Sequence, residues 1–378
     1  MTRKSNSNSI FGLDLLRVAA AGVVYFFHLN INLKFRTGVE ILDTTFSVGA
    51  VFMVLFFMLS GFVMSYSYGH VDMCSDTDRL KKYYKKRFLR IYPSYFVFLL
   101  IVLLFRLSFP KDGKILWTLL PIDLLGLQAF FPKGWSYLGN GGTWFVSVCL
   151  FLYIIYPFLQ KLLNLCKKQW HLLLFCYIVI VYISMARMFL GGEFANYYAN
   201  PFFRIPEFVI GMIIGHRQKE KPLVIKTKKQ STQMWLSLGI GLVLAILYIV
   251  GVVFLYDKTF AQLDFFKSNY LSYNVLAVPL FAVLSVVMSN IKASMVPTVI
   301  AVPVKFLSEM SFYFYLTQTL ANRLAIQWTK DVYWGMILDG DRKVLAATFI
   351  LNFSFAGVMY LLMEKAINPA LKRLFGQK

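Results

Sequence analysis

Residues 235–256 read WLSLGIGLVLAILYIVGVVFLY, 22 residues without a charged side chain. As a helix such a run reaches about 33 Å, and a bilayer core needs roughly 20 mostly apolar residues to be crossed. Lipid offers no partner to a backbone N–H or C=O, so the run must pair its own backbone as a helix. Outward from it, nine further apolar segments fall at roughly 13–32, 47–67, 93–109, 143–160, 170–190, 201–215, 271–289, 304–328 and 343–363. The 378 residues are 58% hydrophobic and 15% charged, where a soluble chain carries about 25% charge. The expected fold is all-α, a polytopic membrane protein of about ten transmembrane helices. One transmembrane domain covers 1–378, and no separate soluble domain is expected.

The net charge of +21 bears first on orientation. With the N-terminus in the cytoplasm, segments 1–12, 68–92, 161–169, 216–234, 290–303 and 364–378 lie inside and hold 23 Lys and Arg. The outside loops 33–46, 110–142, 191–200, 257–270 and 329–342 hold 9. Both termini are therefore expected in the cytoplasm. No basic run is interleaved with aromatics in a soluble fold, so nucleic acid is not expected as a partner, while membrane lipids are. The N-terminal apolar run extends to Ile31, carries Arg17 and lacks a convincing cleavage site, so it reads as a span and not a leader. Residues 115–131 are apolar but contain Pro121 and Asp123; a full crossing would put the basic loop 161–169 outside, so they read as an interfacial or re-entrant helix. Cys74, Cys149, Cys166 and Cys176 fall in no outside loop, and no disulfide is expected. The pair Gly211 and Gly215 is a helix-packing signal.

Ionisable groups within a membrane are costly, and each is a functional candidate. The first span has Asp14, Arg17 and His28. Arg17 and His28, eleven residues apart, differ by three turns plus roughly 20°, so they share a helix face about 16 Å apart along the axis. A cation near the inner face can hold the phosphates of a nucleotide-like donor. A thin arm of pantetheine length then reaches a histidine near the outer face, where it can deprotonate an attacking hydroxyl. His70, His171 and His216 all sit at or beyond cytoplasmic ends of spans. The same residues also admit a bland reading, with His28 as a packing histidine and Arg17 as a snorkelling anchor. The loop 79–93, RLKKYYKKRFLRIYP, is either a positive-inside anchor or a phosphate clamp, with Arg87, Arg90 and Tyr92 as candidates. Ser60 and Gly61 form a small pair in the second span that allows close approach of a ligand or of another helix. Arg204 and Glu207, three apart, either pair on one helix face or line the cavity. Glu309, Gln318 and Arg323 mark a polar ninth span, and Glu364 ends the tenth. No metal is expected.

Five stretches, taken in order, resemble the bacterial acyltransferase type 3 family of integral membrane acyltransferases. LDLLRVAAAGVVYFFH (Leu13 to His28) resembles its first-span motif, an L-D-x-L-R followed by His about eleven residues after the Arg. FFMLSGFVMS (56–65) is similar to its second-span motif, KRFLRIYPSY (86–95) to its basic R-x-x-R-I-Y-P stretch, TWFVSVCLFLYIIYP (143–157) to its Trp-containing span, and FLSEMSFYFYLTQ (306–318) to its late Ser-aromatic motif. The resemblance implies transfer of an acyl group, usually acetyl, from cytoplasmic acyl-CoA to a hydroxyl of an extracytoplasmic saccharide or glycolipid, by a multi-pass protein of the bacterial cytoplasmic membrane. It implies O-acetylation of a cell-envelope polysaccharide or related glycan, with acetyl-CoA as donor substrate. It carries the family's Arg and His onto Arg17 and His28, with Asp14 beside them in the motif, and its basic-stretch arginines onto Arg87 and Arg90. Trp144, with Arg204 and Glu207, is the candidate acceptor contact. Two positions depart: Cys149 stands where many members have Glu, and Gln318 where many have His. The rival function is a transporter or flippase of a glycan or lipid intermediate, which would use the same charges as a path; no repeated halves with matching broken helices are visible. A non-catalytic scaffold leaves the shared face of Arg17 and His28 unexplained. Oligomeric state is not legible.

Overall fold

The computed structural model describes residues 10–107, 113–131, 142–190, 197–223, 229–256, 270–332 and 342–375. Among them every regular element is helical. The principal helices are α1 (Phe11–Leu33), α2 (Glu40–Ser47), α3 (Phe52–Tyr68), α4 (Thr77–Leu107), α5 (Gly113–Leu124), α6 (Trp144–Leu165), α7 (Gln169–Leu190), α8 (Ile205–Glu220), α9 (Gln230–Tyr256), α10 (Asn274–Met288), α11 (Thr298–Val332), α12 (Arg342–Leu361) and α13 (Asn368–Leu374). Among the described residues eight helical stretches are long and apolar enough to cross a membrane, and the protein is a polytopic helical membrane protein.

The sixth and eighth expected spans are shorter than the rest. α8 has 16 residues and α10 has 15, so each reaches only about 23 Å. Each is preceded by a 3-10 turn, Pro201–Arg204 and Tyr270–Tyr273 respectively. α8 is not exposed to lipid: Phe208, Val209, Ile210, Met212, Ile213 and Ile214 are all buried within the protein. The outer layer is the reverse. In α9, Trp235, Leu242, Ile246, Val250 and Phe254 are exposed on the surface that lipid would cover.

The centre is the α3–α8 pair, packed through glycines. A Cβ on Gly61 would lie 2.0 Å from the Phe208 carbonyl oxygen, one on Gly211 2.0 Å from that of Met58, and one on Gly215 2.3 Å from that of Phe62. Three glycines from two helices thus let the backbones touch, as small residues do where no hydrophobic force drives helices together. The Gly211/Gly215 signal is borne out. Gly61 is taken up by the same packing: its missing side chain admits a helix and leaves no room for a ligand.

One segment corrects the sequence reading, and a second agrees with it. Residues 79–93 are not a loop. They are the first half of α4, 31 residues or about 46 Å long, in one continuous helix with the apolar span. Asp76 starts it, its Oδ1 accepting from the N–H of Asp78 (2.9 Å) and of Arg79 (3.2 Å). Within 115–131 the chain forms the greater part of α5 and then a 3-10 turn, Gln128–Phe130; α5, at 12 residues, is too short to cross, as an interfacial or re-entrant helix would be. α5 ends at Gly126 (φ +68), where the N–H of Leu127 reaches the Ile122 carbonyl at 2.9 Å. Two tyrosines of α4 satisfy its last carbonyls: Tyr92 Oη donates to Leu124 O (2.7 Å) and Tyr95 Oη to Asp123 O (2.5 Å). Tyr92 is therefore spent on holding α5.

Candidate active site

α1 carries the candidate residues, and the N-terminal end of the helix is fixed by a carboxylate. Arg17 Nη1 donates to Asp14 Oδ1 at 2.9 Å, and Ser308 Oγ of α11 donates to the same oxygen at 2.9 Å. Asp14 thereby positions Arg17 and ties α1 to α11. Arg17 makes no other hydrogen bond among the described residues and keeps 26% of its side chain exposed. Its strongest charged and polar neighbours besides Asp14 are Arg90 and Tyr153.

Tyr153 is the residue around which the donor candidates gather. Its hydroxyl lies 3.0 Å from Ser60 Oγ. The Arg87 guanidinium stands 5.8 Å from its ring, 5.0 Å from that of Tyr68 and 5.9 Å from that of Tyr83. Arg87 is buried, has no carboxylate partner among the described residues, and its Nε has no hydrogen bond. Arg17, Ser60, Arg87 and Arg90 thus come together from α1, α3 and α4, with Asp14 the acid among them. Three cations against one acid is a region that lacks an anion, and guanidinium forks suit phosphate oxygens. Gly61 and Tyr92 do not join this group.

The local reason for this placement lies in α6. Pro157 has no N–H to give to the carbonyl four residues back, that of Tyr153. Tyr83 Oη supplies the missing donor at 2.9 Å, and Tyr84 Oη does the same for Ile154 O at 2.9 Å. The proline thus leaves carbonyls that dock the basic half of α4 against α6. Arg87 follows Tyr83 by one helical turn, which places it over the Tyr153 ring; Arg90, one turn further, is exposed and acts electrostatically on Arg17.

His28 sits nearer the other end of α1. Its Nδ1 is 3.0 Å from the Val24 carbonyl oxygen. A carbonyl only accepts, so Nδ1 carries the hydrogen and the neutral ring presents a bare lone pair at Nε2, as a general base requires. The ring is partly exposed despite its position inside the bundle. Gln318 of α11 lies beside it, and both of its amide atoms are buried without a hydrogen-bond partner. One turn further along, the Asn322 amide is also buried and unpartnered. At the position where the resemblance departs, the chain places an amide that can donate and accept next to His28.

Trp144, Arg204 and Glu207 are also brought together, but as a closed box. Arg204 Nη1 bonds Glu207 Oε1 at 2.6 Å, and Nε donates to Tyr198 O at 2.8 Å. The guanidinium is enclosed by the rings of Tyr198 (4.8 Å), Phe57 (5.6 Å) and Trp144 (5.7 Å). Arg204 and Glu207 are each 1% exposed. The pair on one helix face is what the structure supports; direct contact with an acceptor would first require this box to open. Cys149 lies buried in α6 with its thiol free, and Cys74, Cys166 and Cys176 are free as well. Glu309 links α11 to α12, where Tyr360 Oη donates to Glu309 Oε2 (3.0 Å), and Glu364, in the π-helical turn Leu362–Ile367 that follows α12, accepts from Tyr313 Oη of α11 (3.2 Å). At the opposite end of the α3–α8 pair from this box, His70, His216 and Glu220 lie within 4.8 Å of one another through one donor atom each. The sequence placed the two histidines at the ends of their spans but gave no sign that they meet.

Comparison with known proteins agrees with the motif order. A family model described as an acyltransferase domain matches residues 10–363, nearly the whole chain. Acyltransferase MdmB of Streptomyces mycarofaciens is 31% identical over 156 residues, which cover 39% of this chain and 38% of that protein. The chain thus aligns with well under half the length of this curated relative. No solved structure matches. The matched span of 10–363 contains α1 with Asp14, Arg17 and His28, the basic half of α4 and the polar face of α11, and on that match the chain belongs to the acyltransferase type 3 family.

Proposed function

We propose that this protein transfers an acyl group, acetyl in the simplest case, from acyl-CoA on the cytoplasmic side of the bacterial inner membrane to a hydroxyl of a glycan or lipid-linked saccharide at the far face. The observation that carries this reading is the division of α1. A cation-rich, acid-poor cluster (Arg17, Arg87, Arg90) marks one level, and a histidine whose tautomer is fixed for base catalysis marks another, about 16 Å along the same face.

The chemistry then runs through this chain's own side chains. The arginines and the Ser60–Tyr153 hydroxyl pair hold the phosphates and stem of the donor. His28 Nε2 takes the proton of the acceptor hydroxyl as its oxygen attacks the thioester carbonyl carbon. The C–O bond forms, the C–S bond breaks, and the proton passes from His28 to the departing thiolate, so the products are the ester and free CoA thiol. The Gln318 amide offers an N–H to the carbonyl oxygen as it gains charge. Asp14 never meets substrate; it orients Arg17. The whole chain is read as one transmembrane catalytic domain.

The experiment is donor chemistry on the purified protein in detergent. Acetyl-CoA should bind saturably and release free CoA thiol, faster when a saccharide acceptor is present. Absence of binding to acetyl-CoA and to longer acyl-CoAs, together with movement of a glycan lipid between leaflets of reconstituted vesicles, would replace this reading with the flippase.

A further inference from the structure

We propose that the ends of α3 and α8 form a binding site for one first-row divalent transition cation, zinc being the best fit, held by His70 Nδ1, His216 Nε2 and a Glu220 carboxylate oxygen. The site is separate from the arginine cluster and from His28. By the distribution of basic residues it lies on the cytoplasmic side.

The geometry comes from two elements. His216 and Glu220 are four apart on α8, which puts them on one helix face. His70 lies in the turn that follows α3, and the tight α3–α8 packing at Gly61, Gly211 and Gly215 brings it opposite. The two imidazole rings face each other at 5.3 Å and 33°. His216 Nε2 is 3.2 Å and His70 Nδ1 3.9 Å from the same Glu220 oxygen. A zinc ion with bonds of about 2.0–2.1 Å in tetrahedral geometry sets its ligand atoms about 3.3–3.4 Å apart. The two separations to the carboxylate oxygen bracket that value, and all three donor atoms lie within 4.8 Å of one another. His70 and Glu220 are exposed, so their side chains can move to close what remains.

The surroundings favour a metal over a simple ion pair. His216 is buried, and its Nδ1 has no hydrogen-bond partner. A metal-ligating histidine uses its second nitrogen on an outer partner, and the Ser65 hydroxyl, also buried and unpartnered, lines the same corner. Both surround Gly69, where a Cβ would stand 2.8 Å from Nδ1 and 3.2 Å from Ser65 Oγ. The glycine leaves the slot that the imidazole occupies. The donor set of two imidazoles and one carboxylate selects among metals: calcium and magnesium require more oxygen ligands, and the one acid here sits beside Arg217, Lys219 and Lys221. Three protein ligands leave a fourth position open. Coordination would pin the turn between α3 and α4, hence the start of the helix that bears Arg87 and Arg90.

The test uses full-length protein in detergent, purified through a tag free of histidine and stripped with a chelator. Zinc titrated by equilibrium dialysis should bind at one equivalent, and cobalt(II) should give the visible absorption of a tetrahedral site. Because His70 is exposed, His70→Ala should fold normally and weaken zinc by at least about tenfold, as loss of a ligand requires; Glu220→Gln should do the same. Wild-type protein that binds no zinc above its background, or His70→Ala protein that keeps the full affinity and the cobalt spectrum, would overturn the site.

Discussion

His28→Ala is expected to lower acyl transfer by about 10²–10⁴-fold while protein level and acyl-CoA binding stay nearly intact. The residue is only partly buried and its geometric hydrogen bond is to Val24 O within its own helix, so its removal leaves no buried charge, and the contact it gives up is the one with Gln318 of α11. What is lost is the lone pair at Nε2. His28→Gln separates chemistry from packing, because glutamine keeps the approximate size and one hydrogen bond but cannot accept and hold a proton. Measured as acceptor modification per unit of enzyme, both variants should be inactive to a similar degree. Near-normal transfer by the glutamine variant would make His28 a packing residue.

The second large effect is on donor affinity. Arg87→Ala and Arg90→Ala should each weaken acyl-CoA binding by about ten- to a hundredfold, the equivalent of about 1–3 kcal/mol of charge-assisted hydrogen bonding. Arg87 has no carboxylate partner among the described residues, so its loss orphans no buried acid; the cost to the fold is the stacking on Tyr68, Tyr83 and Tyr153. Arg17 is less clean, since Arg17→Ala would leave Asp14 with Ser308 alone. Lysine at either position should restore affinity only in part, because a point charge replaces a planar fork. Titration calorimetry or displacement of a labelled CoA reads the result. Unchanged affinity in both alanine variants would assign the basic half of α4 to orientation in the membrane.

Much of this was legible in the sequence because it is local. Hydropathy finds α9 directly, and the eleven-residue interval on α1 puts Arg17 and His28 on one face without any tertiary information. The same hydropathy misjudged residues 79–93. Lys, Arg and Leu are good helix formers, and a helix can continue out of the membrane where its side chains become charged, so a change of polarity does not mark the end of a helix. Gly211 and Gly215 signalled close packing, but a glycine motif does not name its partner, and the ligand reading of Gly61 failed for that reason. Arg204 and Glu207 were expected as a pair or as cavity lining; three-residue spacing supplied the pair, and only tertiary structure could show the box of Tyr198, Phe57 and Trp144 around it. Tyr153 and the meeting of His70 with His216 and Glu220 depend on contacts between distant segments, which a lone sequence does not encode in any spacing. The sequence does carry one signal for Tyr153: Pro157, four residues on, frees its carbonyl and calls for an outside donor.

The most direct test of transfer across the membrane is made in sealed vesicles containing the protein in one orientation. Acyl-labelled CoA is supplied only to the face that bears the start of α4, and a saccharide acceptor is enclosed on the other side. Label should appear on the enclosed acceptor, and none should appear when donor and acceptor are exchanged between the two faces. Transfer only when donor and acceptor share one face, or transfer that proceeds equally well from either side, would contradict a site divided between Arg17 at one level of the membrane and His28 at the other.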